Sequence, residues 1–222
     1  IGWSLGLKAV RVSTTRQMGT GWQVVKSGLN YELVPGSEHV VSVTLPSGRV
    51  ETFETRITPS VSPLVPFQTA RASFVARAGT QGTLAALANT DLLIVDPQPG
   101  PVTLVDDVTL NTFHPDRFLY TQPDGTQFVV TRTHGVESVR DPNGNQITIT
   151  PGGISHSAGT SIVFARDAGG RITAITDPKG KTRTYTYSGA GDLATATDRL
   201  GNTTAYFYNR FHGLLRVVDP LG

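Results

Sequence analysis

The chain has 222 residues and a mass of 23.7 kDa, enough to bury a sizeable core. It has no cysteine, which excludes a disulfide framework, a thiolate metal site and a cysteine nucleophile. Charged residues make up only 16%, with a formal net charge of +2. Residues 1–134 carry ten basic and ten acidic side chains and residues 135–222 carry nine and seven, so neither half offers the basic stripe that nucleic-acid binding needs.

No window approaches the roughly 18 apolar residues of a membrane span, so no membrane insertion is expected. The N-terminus lacks a charged flank followed by an apolar core. The chain begins at Ile1 and stops just after a turn signal at Gly222, and it reads as a piece of something longer.

In chain order, segments 22–34 and 39–45 read as strands, and Leu45-Pro-Ser-Gly-Arg-Val-Glu-Thr-Phe53 reads as strand, tight turn, strand. Pro59, Pro63 and Pro66 with their serines mark a connection near 59–66, and Pro97 to Pro101 mark another. Between them, Leu84-Ala-Ala-Leu87-Ala predicts a short helix over 83–89, the one helical signal in the chain. Tyr120-Thr-Gln-Pro-Asp-Gly-Thr-Gln-Phe128 is again a hairpin. These signals make 1–134 an N-terminal β region and the class all-β.

From Gly135 onward the chain repeats itself, and a repeat decides an architecture. Gly170-Arg-Ile-Thr-Ala-Ile-Thr-Asp177-Pro-Lys-Gly180 leads to Tyr185-Thr-Tyr187. Gly191-Asp-Leu-Ala-Thr-Ala-Thr-Asp198-Arg-Leu-Gly201 leads to Tyr206-Phe-Tyr208. Gly213-Leu-Leu-Arg-Val-Val-Asp219-Pro-Leu-Gly222 begins a third copy. Asp177, Asp198 and Asp219 are 21 residues apart. An earlier copy runs from Gly135 through Asp141-Pro-Asn-Gly144, and residues 150–169 insert a Gly-rich excursion before the next.

Each copy reads as a hairpin: Asp caps backbone N–H groups at the first turn position, Pro fixes φ at the second, and Gly at the fourth tolerates positive φ. Tight reversals are thus expected at 141–144, 177–180, 198–201 and 219–222. Tyr185 and Tyr187, like Tyr206 and Tyr208, lie two apart and project from one strand face. In the strand before each turn the apolar anchors are three apart (Val136 and Val139, Ile172 and Ile175), which predicts a bulge or strong twist there.

Sites of chemistry are poorly supported. Asp141, Asn143 and Asn145 have the one-three-five spacing of a calcium loop, but Gln146 stands at position six and Gly152 at position twelve. Gly153-Ile-Ser155-His156-Ser157 departs from a nucleophile elbow at its last residue. The five histidines (His39, His114, His134, His156 and His212) show no i, i+2 or i, i+4 pairing, and Asp106-Asp107 would face opposite ways on a strand. No catalytic, metal or cofactor site is assigned, and recurrence of one carboxylate in one turn argues for architecture rather than catalysis.

The units, with Gly-x-Ile/Leu, Asp-Pro-x-Gly-Asn/Lys, a threonine run and Tyr-x-Tyr, resemble the Rhs/YD-repeat family. Gly2-Trp3-Ser4-Leu5 resembles a segment that commonly opens the shell region of such proteins, and Asp124-Gly125-Thr126 resembles the join into the repeats. The resemblance covers 135–222 closely and 1–134 more loosely. It implies a curved sheet of antiparallel hairpins, 135–222 being the repeat array, within a larger hollow β-shell. In bacterial polymorphic toxins and toxin complexes such a shell encloses a toxic C-terminal domain, and in animal teneurins it serves adhesion. The expected role is a non-catalytic, secreted or cell-surface scaffold whose partners are the rest of its own shell and an enclosed C-terminal domain. The alternative is an extracellular adhesion or carbohydrate-binding module in which the tyrosines Tyr185, Tyr187, Tyr206 and Tyr208, expected to be exposed, stack on sugars or dock a partner protein. Asp219-Pro-Leu-Gly222 also resembles the opening of a family self-cleavage region, but Asp219 falls on the 21-residue period and is read as a repeat turn. Bare strand edges predict edge-to-edge self-association.

Overall fold

A computed structural model describes residues 10–65 and 68–221. Gly2-Trp3-Ser4-Leu5, Pro66 and Gly222 lie outside the described residues, and with Gly222 the last position of the 219–222 turn. Those described form strands and turns only, and the strands pair antiparallel. The chain divides into two compact units, 1–144 and 145–222.

The first unit contains β1 (Arg11–Thr14), β2 (Trp22–Ser27), β3 (Asn30–Pro35), β4 (Val40–Thr44), β5 (Val50–Thr58), β6 (Val61–Pro63), β7 (Thr69–Ala76), β8 (Thr83–Ala86), β9 (Asp91–Val95), β10 (Gly100–Asp106), β11 (Arg117–Thr121), β12 (Gln127–Thr131) and β13 (Gly135–Arg140). Nine of these form a sheet in the order β1-β4-β5-β7-β9-β10-β2-β3-β6, and β8, β11, β12 and β13 pair in that order. Alternation along β5 buries Glu51, Phe53, Thr55 and Ile57 and leaves Thr52, Glu54 and Arg56 on the other face. Facing rings close this core: Tyr120 meets Phe53 edge-on at 6.2 Å, and Phe118 meets Phe74 at 5.5 Å. Each such buried aromatic contributes roughly 1.5–3 kcal/mol. Glu51 is buried without strain because its carboxylate accepts the N–H groups of Gln81 (2.7 Å) and Gly82 (3.1 Å) and meets Arg49 at 2.8 Å.

Three local expectations are corrected. Residues 83–86 are strand β8, not helix. Leu84 pairs with Tyr120 and is buried, so a ladder on β11 outweighs the helical preference of Leu and Ala. The Pro59–Pro66 connection contains a strand of its own, β6, which adds to the β3 edge, where prolines are tolerated. Pro101 is already inside β10, opposite Gln23.

The second unit contains β14 (Gln146–Thr150), β15 (Gly153–His156), β16 (Ser161–Arg166), β17 (Ile172–Thr176), β18 (Thr182–Tyr187), β19 (Leu193–Thr197), β20 (Thr203–Tyr208) and β21 (Leu214–Val218), each paired with the next in sequence. The Gly-rich excursion is the regular hairpin β15–β16, reversed at His156–Gly159. One sheet face carries threonine rungs: the hydroxyls of Thr176 and Thr182 (3.0 Å), Thr186 and Thr195 (2.6 Å), and Thr197 and Thr203 (2.9 Å) meet across the strands. The opposite face carries Ile162, Phe164, Ile175, Tyr185, Tyr187, Tyr206 and Tyr208, all half-buried. Every fully buried apolar side chain among the described residues belongs to the first unit.

Candidate functional site

Two sets of reversals alternate along the repeat array. In the expected set, Gly144, Gly180 and Gly201 donate their N–H to the carbonyls of Asp141 (3.0 Å), Asp177 (2.9 Å) and Asp198 (3.1 Å). Oδ1 of Asp177 accepts the N–H groups of Lys179 and Lys181, both at 2.9 Å. Oδ1 of Asp198 accepts those of Leu200 (2.8 Å) and Asn202 (3.0 Å), and Oδ1 of Asp219 that of Leu221 (2.8 Å). The carboxylate thus consumes the turn's free donors, and Gly180 (φ 75°) and Gly201 (φ 89°) supply the left-handed residue. The second set lies at the other end of the hairpins, where Asp167, Ser188 and Asn209 occupy the first position, again 21 residues apart. Here the left-handed residues are Gly170, Gly191 and His212 (φ 62°). Aligning Gly213 with Gly170 and Gly191 is therefore one residue out, and Gly213 instead donates its N–H to Asn209 Oδ1 at 2.9 Å. His212 meets Asp192 at 2.8 Å through Nδ1.

The predicted bulges recur with the same period. Ladder registers shift so that Thr173, Ala194 and Leu215 have no partner of their own on β16, β18 and β20, and Glu137 is skipped likewise opposite β12. An extra residue turns a three-residue spacing into a same-face spacing, which is why Ile172 and Ile175 serve one side.

The repeat tyrosines are half-buried rather than exposed. Tyr187 donates its hydroxyl to the Ile172 carbonyl at 2.7 Å and lies under the Arg171 guanidinium at 4.6 Å. Tyr208 ends β20 opposite Leu214. Tyr185 and Tyr206 line a cleft of about 240 Å³ with Arg183, Ala196, Asp198, Asn202, Thr204 and Pro220. Ladder registers set Tyr185, Ala196 and Thr204 side by side across β18, β19 and β20. The Asn202 amide at 3.0 Å and the Leu200 N–H hold the Asp198 carboxyl below its ordinary pKa, and the Arg183 charge adds to this. The slot two before each turn aspartate holds Ile175, Ala196 and Val217 in successive copies, and the smallest of the three, Ala196, is among the residues lining this cleft. That difference is legible by aligning the copies, although no motif marks it.

Among the described residues no three His, Asp or Glu side chains gather as a metal site, and Ser155 and His156 belong to strand β15. The RHS Repeat family model matches residues 166–203, which covers the reversals at 167–170, 177–180, 188–191 and 198–201 and the bulges at Thr173 and Ala194. Residues 166–203 carry an RHS repeat. A search of the curated proteins finds no match to it. In this RHS repeat the matched segment holds strands β17, β18 and β19 and two reversals of each set, so the sequence family and the 21-residue structural period coincide.

Proposed function

We propose that this RHS-repeat chain is a non-catalytic scaffold, a stretch of shell wall that in the intact protein encloses a C-terminal toxic or effector domain and is secreted or displayed at the cell surface. The observation that carries the reading is the exact recurrence of turn, bulge and rung every 21 residues in a unit whose apolar side chains are only half covered. An array of this kind is stabilised by contacts between neighbouring units rather than by a closed core, and it extends by adding identical units. A wall needs such uniformity, whereas catalysis needs unlike groups in unlike environments. The bulges support the reading because each adds local twist, and twist repeated at one interval bends a long sheet consistently.

The test uses the intact protein with its downstream domain. Limited proteolysis should leave that domain protected until the repeats are denatured, and should degrade it promptly when it is produced alone. Equal digestion rates with and without the repeats would remove the enclosing role.

A further inference from the structure

In the first unit the ladder between β2 and β10 ends at the pair Trp22–Val102, and a cavity of about 270 Å³ opens there over Gly21 and Gly36. Gln23, Pro101 and Thr103 alternate with the buried Trp22 and Val102, so they lie on the sheet face away from the core, and with Ser37 they line the cavity. We infer that this cavity is a binding site for a single carboxylate group, received by Arg16 and the donors around Gly21. The inference concerns the first unit alone and does not depend on the enclosing role.

Two glycines make the floor. A Cβ at Gly21 would lie 2.7 Å from Arg16 Nη1 and 3.0 Å from Ser37 Oγ, and a Cβ at Gly36 would lie 3.2 Å from Gln23 Nε2. These polar groups therefore stand over bare backbone, where a side chain would displace them. Arg16 is exposed, and its Nε donates to the Glu38 carbonyl at 3.1 Å, which orients the guanidinium and leaves its two Nη groups for a ligand. Among the described residues Arg16 has no carboxylate partner, because the Glu38 side chain is paired with Arg77 at 3.1 Å.

The donors select the ligand. A guanidinium fork matches the two oxygens of a carboxylate, and the Gln23 amide with the Ser37 and Thr103 hydroxyls can donate to the remaining lone pairs. The residues lining the cavity include no second cation to balance a phosphate dianion and no acid to repel an anion. The volume lies just below the roughly 300–1,000 Å³ of sites that take drug-sized ligands, which suits a carboxylate with a short stem against the Pro101 ring.

The experiment titrates the chain with N-acetylglycine, whose carboxylate is a chain terminus, and with the α-amide of N-acetylglutamic acid, whose carboxylate is a side chain, and follows backbone amides by NMR. Saturable shifts at Gly21, Ser37 and Thr103 are expected, and N-acetylglycine amide, which has no charge, should cause none. Tighter binding of the first probe assigns a chain terminus as the source and tighter binding of the second an acidic side chain, and either bears out the carboxylate. Arg16→Gln should weaken binding at least about tenfold, since hydrogen bonds to a charged group are lost. Arg16→Lys keeps the charge without the fork and should recover only part of the affinity. Arg56→Gln, the same charge change on β5 outside the cavity, should leave binding unchanged. No saturable shift at these amides with either carboxylate, or undiminished binding by Arg16→Gln, overturns the inference. Tighter binding of inorganic phosphate than of both carboxylates also overturns it, because the argument from a single cation would be wrong.

Discussion

Tyr187 donates its hydroxyl to the carbonyl of Ile172, 2.7 Å away on the neighbouring strand, at the place where the extra residue Thr173 breaks the ladder between β16 and β17. A bulge leaves backbone groups without their regular partners, and a side chain that meets one of them removes the cost. The second tyrosine of the repeat thus has a backbone task, while Arg171 stacked on its ring covers the outer side.

Tyr187→Phe keeps the ring and loses the hydrogen bond. It should lower the stability of the repeat unit by about 0.5–1.5 kcal/mol, measured by urea denaturation. Tyr187→Ala should cost more, since the Arg171 stack is lost too. Equal midpoints for Tyr187→Phe and the parent would mean that water satisfies Ile172 as well as the tyrosine does.

Gly180→Val and Gly201→Val should each destabilise by about 1–3 kcal/mol through backbone strain alone. Apart from the glycine itself and its two chain neighbours, no atom lies within 4 Å of a Cβ placed at either position, so the penalty comes from φ values of 75° and 89° and not from a clash with the rest of the fold. Asn, which tolerates the left-handed region, should cost less than Val at both sites. Thermal unfolding of the four variants checks the order.

Much of this was legible in the sequence. The turn aspartates and glycines announce their own geometry, and the three-residue spacing of Ile172 and Ile175 foretold a bulge because only an extra residue puts both on one face. What was hidden depended on partners distant in sequence. Leu84 looks helical until Tyr120 is placed beside it. His212 in the left-handed slot was masked by the adjacent Gly213, the residue that local rules prefer there. The cleft depends on ladder registers that set Tyr185, Ala196 and Thr204 side by side, a meeting of three strands that none of them announces alone.

Stability should fall in mild acid. His39 stacks on Trp22 at 4.3 Å with Nε2 2.6 Å from the Thr20 carbonyl oxygen, and burial pushes its pKa below 6.5 against the opposing pull of the Thr20 and Ser37 backbones. His114 is lowered too, by burial and then by the Arg132 charge. Near and below pH 6.5 the unfolded chain therefore binds more protons than the folded one, so stability is full above that pH and declines as pH falls toward the folded pKa values, by at most about 1.4 kcal/mol per pH unit for each histidine. Melting temperatures between pH 7.5 and 5.5 should drop for the parent chain and drop less for His39→Phe. Parallel curves would exclude His39 as a source of the acid sensitivity.

The β21 edge should promote association of the isolated chain. Leu214, Leu215 and Val217 are half or more exposed there, and an uncovered strand presents backbone donors and acceptors to another chain. Light scattering across a concentration series should show growth in mass, reduced by Leu215→Lys. A strict monomer at all concentrations, with β21 uncovered, would contradict the open-array picture.

The most direct test is electron cryomicroscopy of the intact protein at a resolution that traces strands. The account predicts that each 21-residue unit adds two antiparallel strands with a bulge at the positions of Thr173, Ala194 and Leu215, and that the resulting wall surrounds a downstream domain. A downstream domain lying outside an unclosed sheet would contradict it.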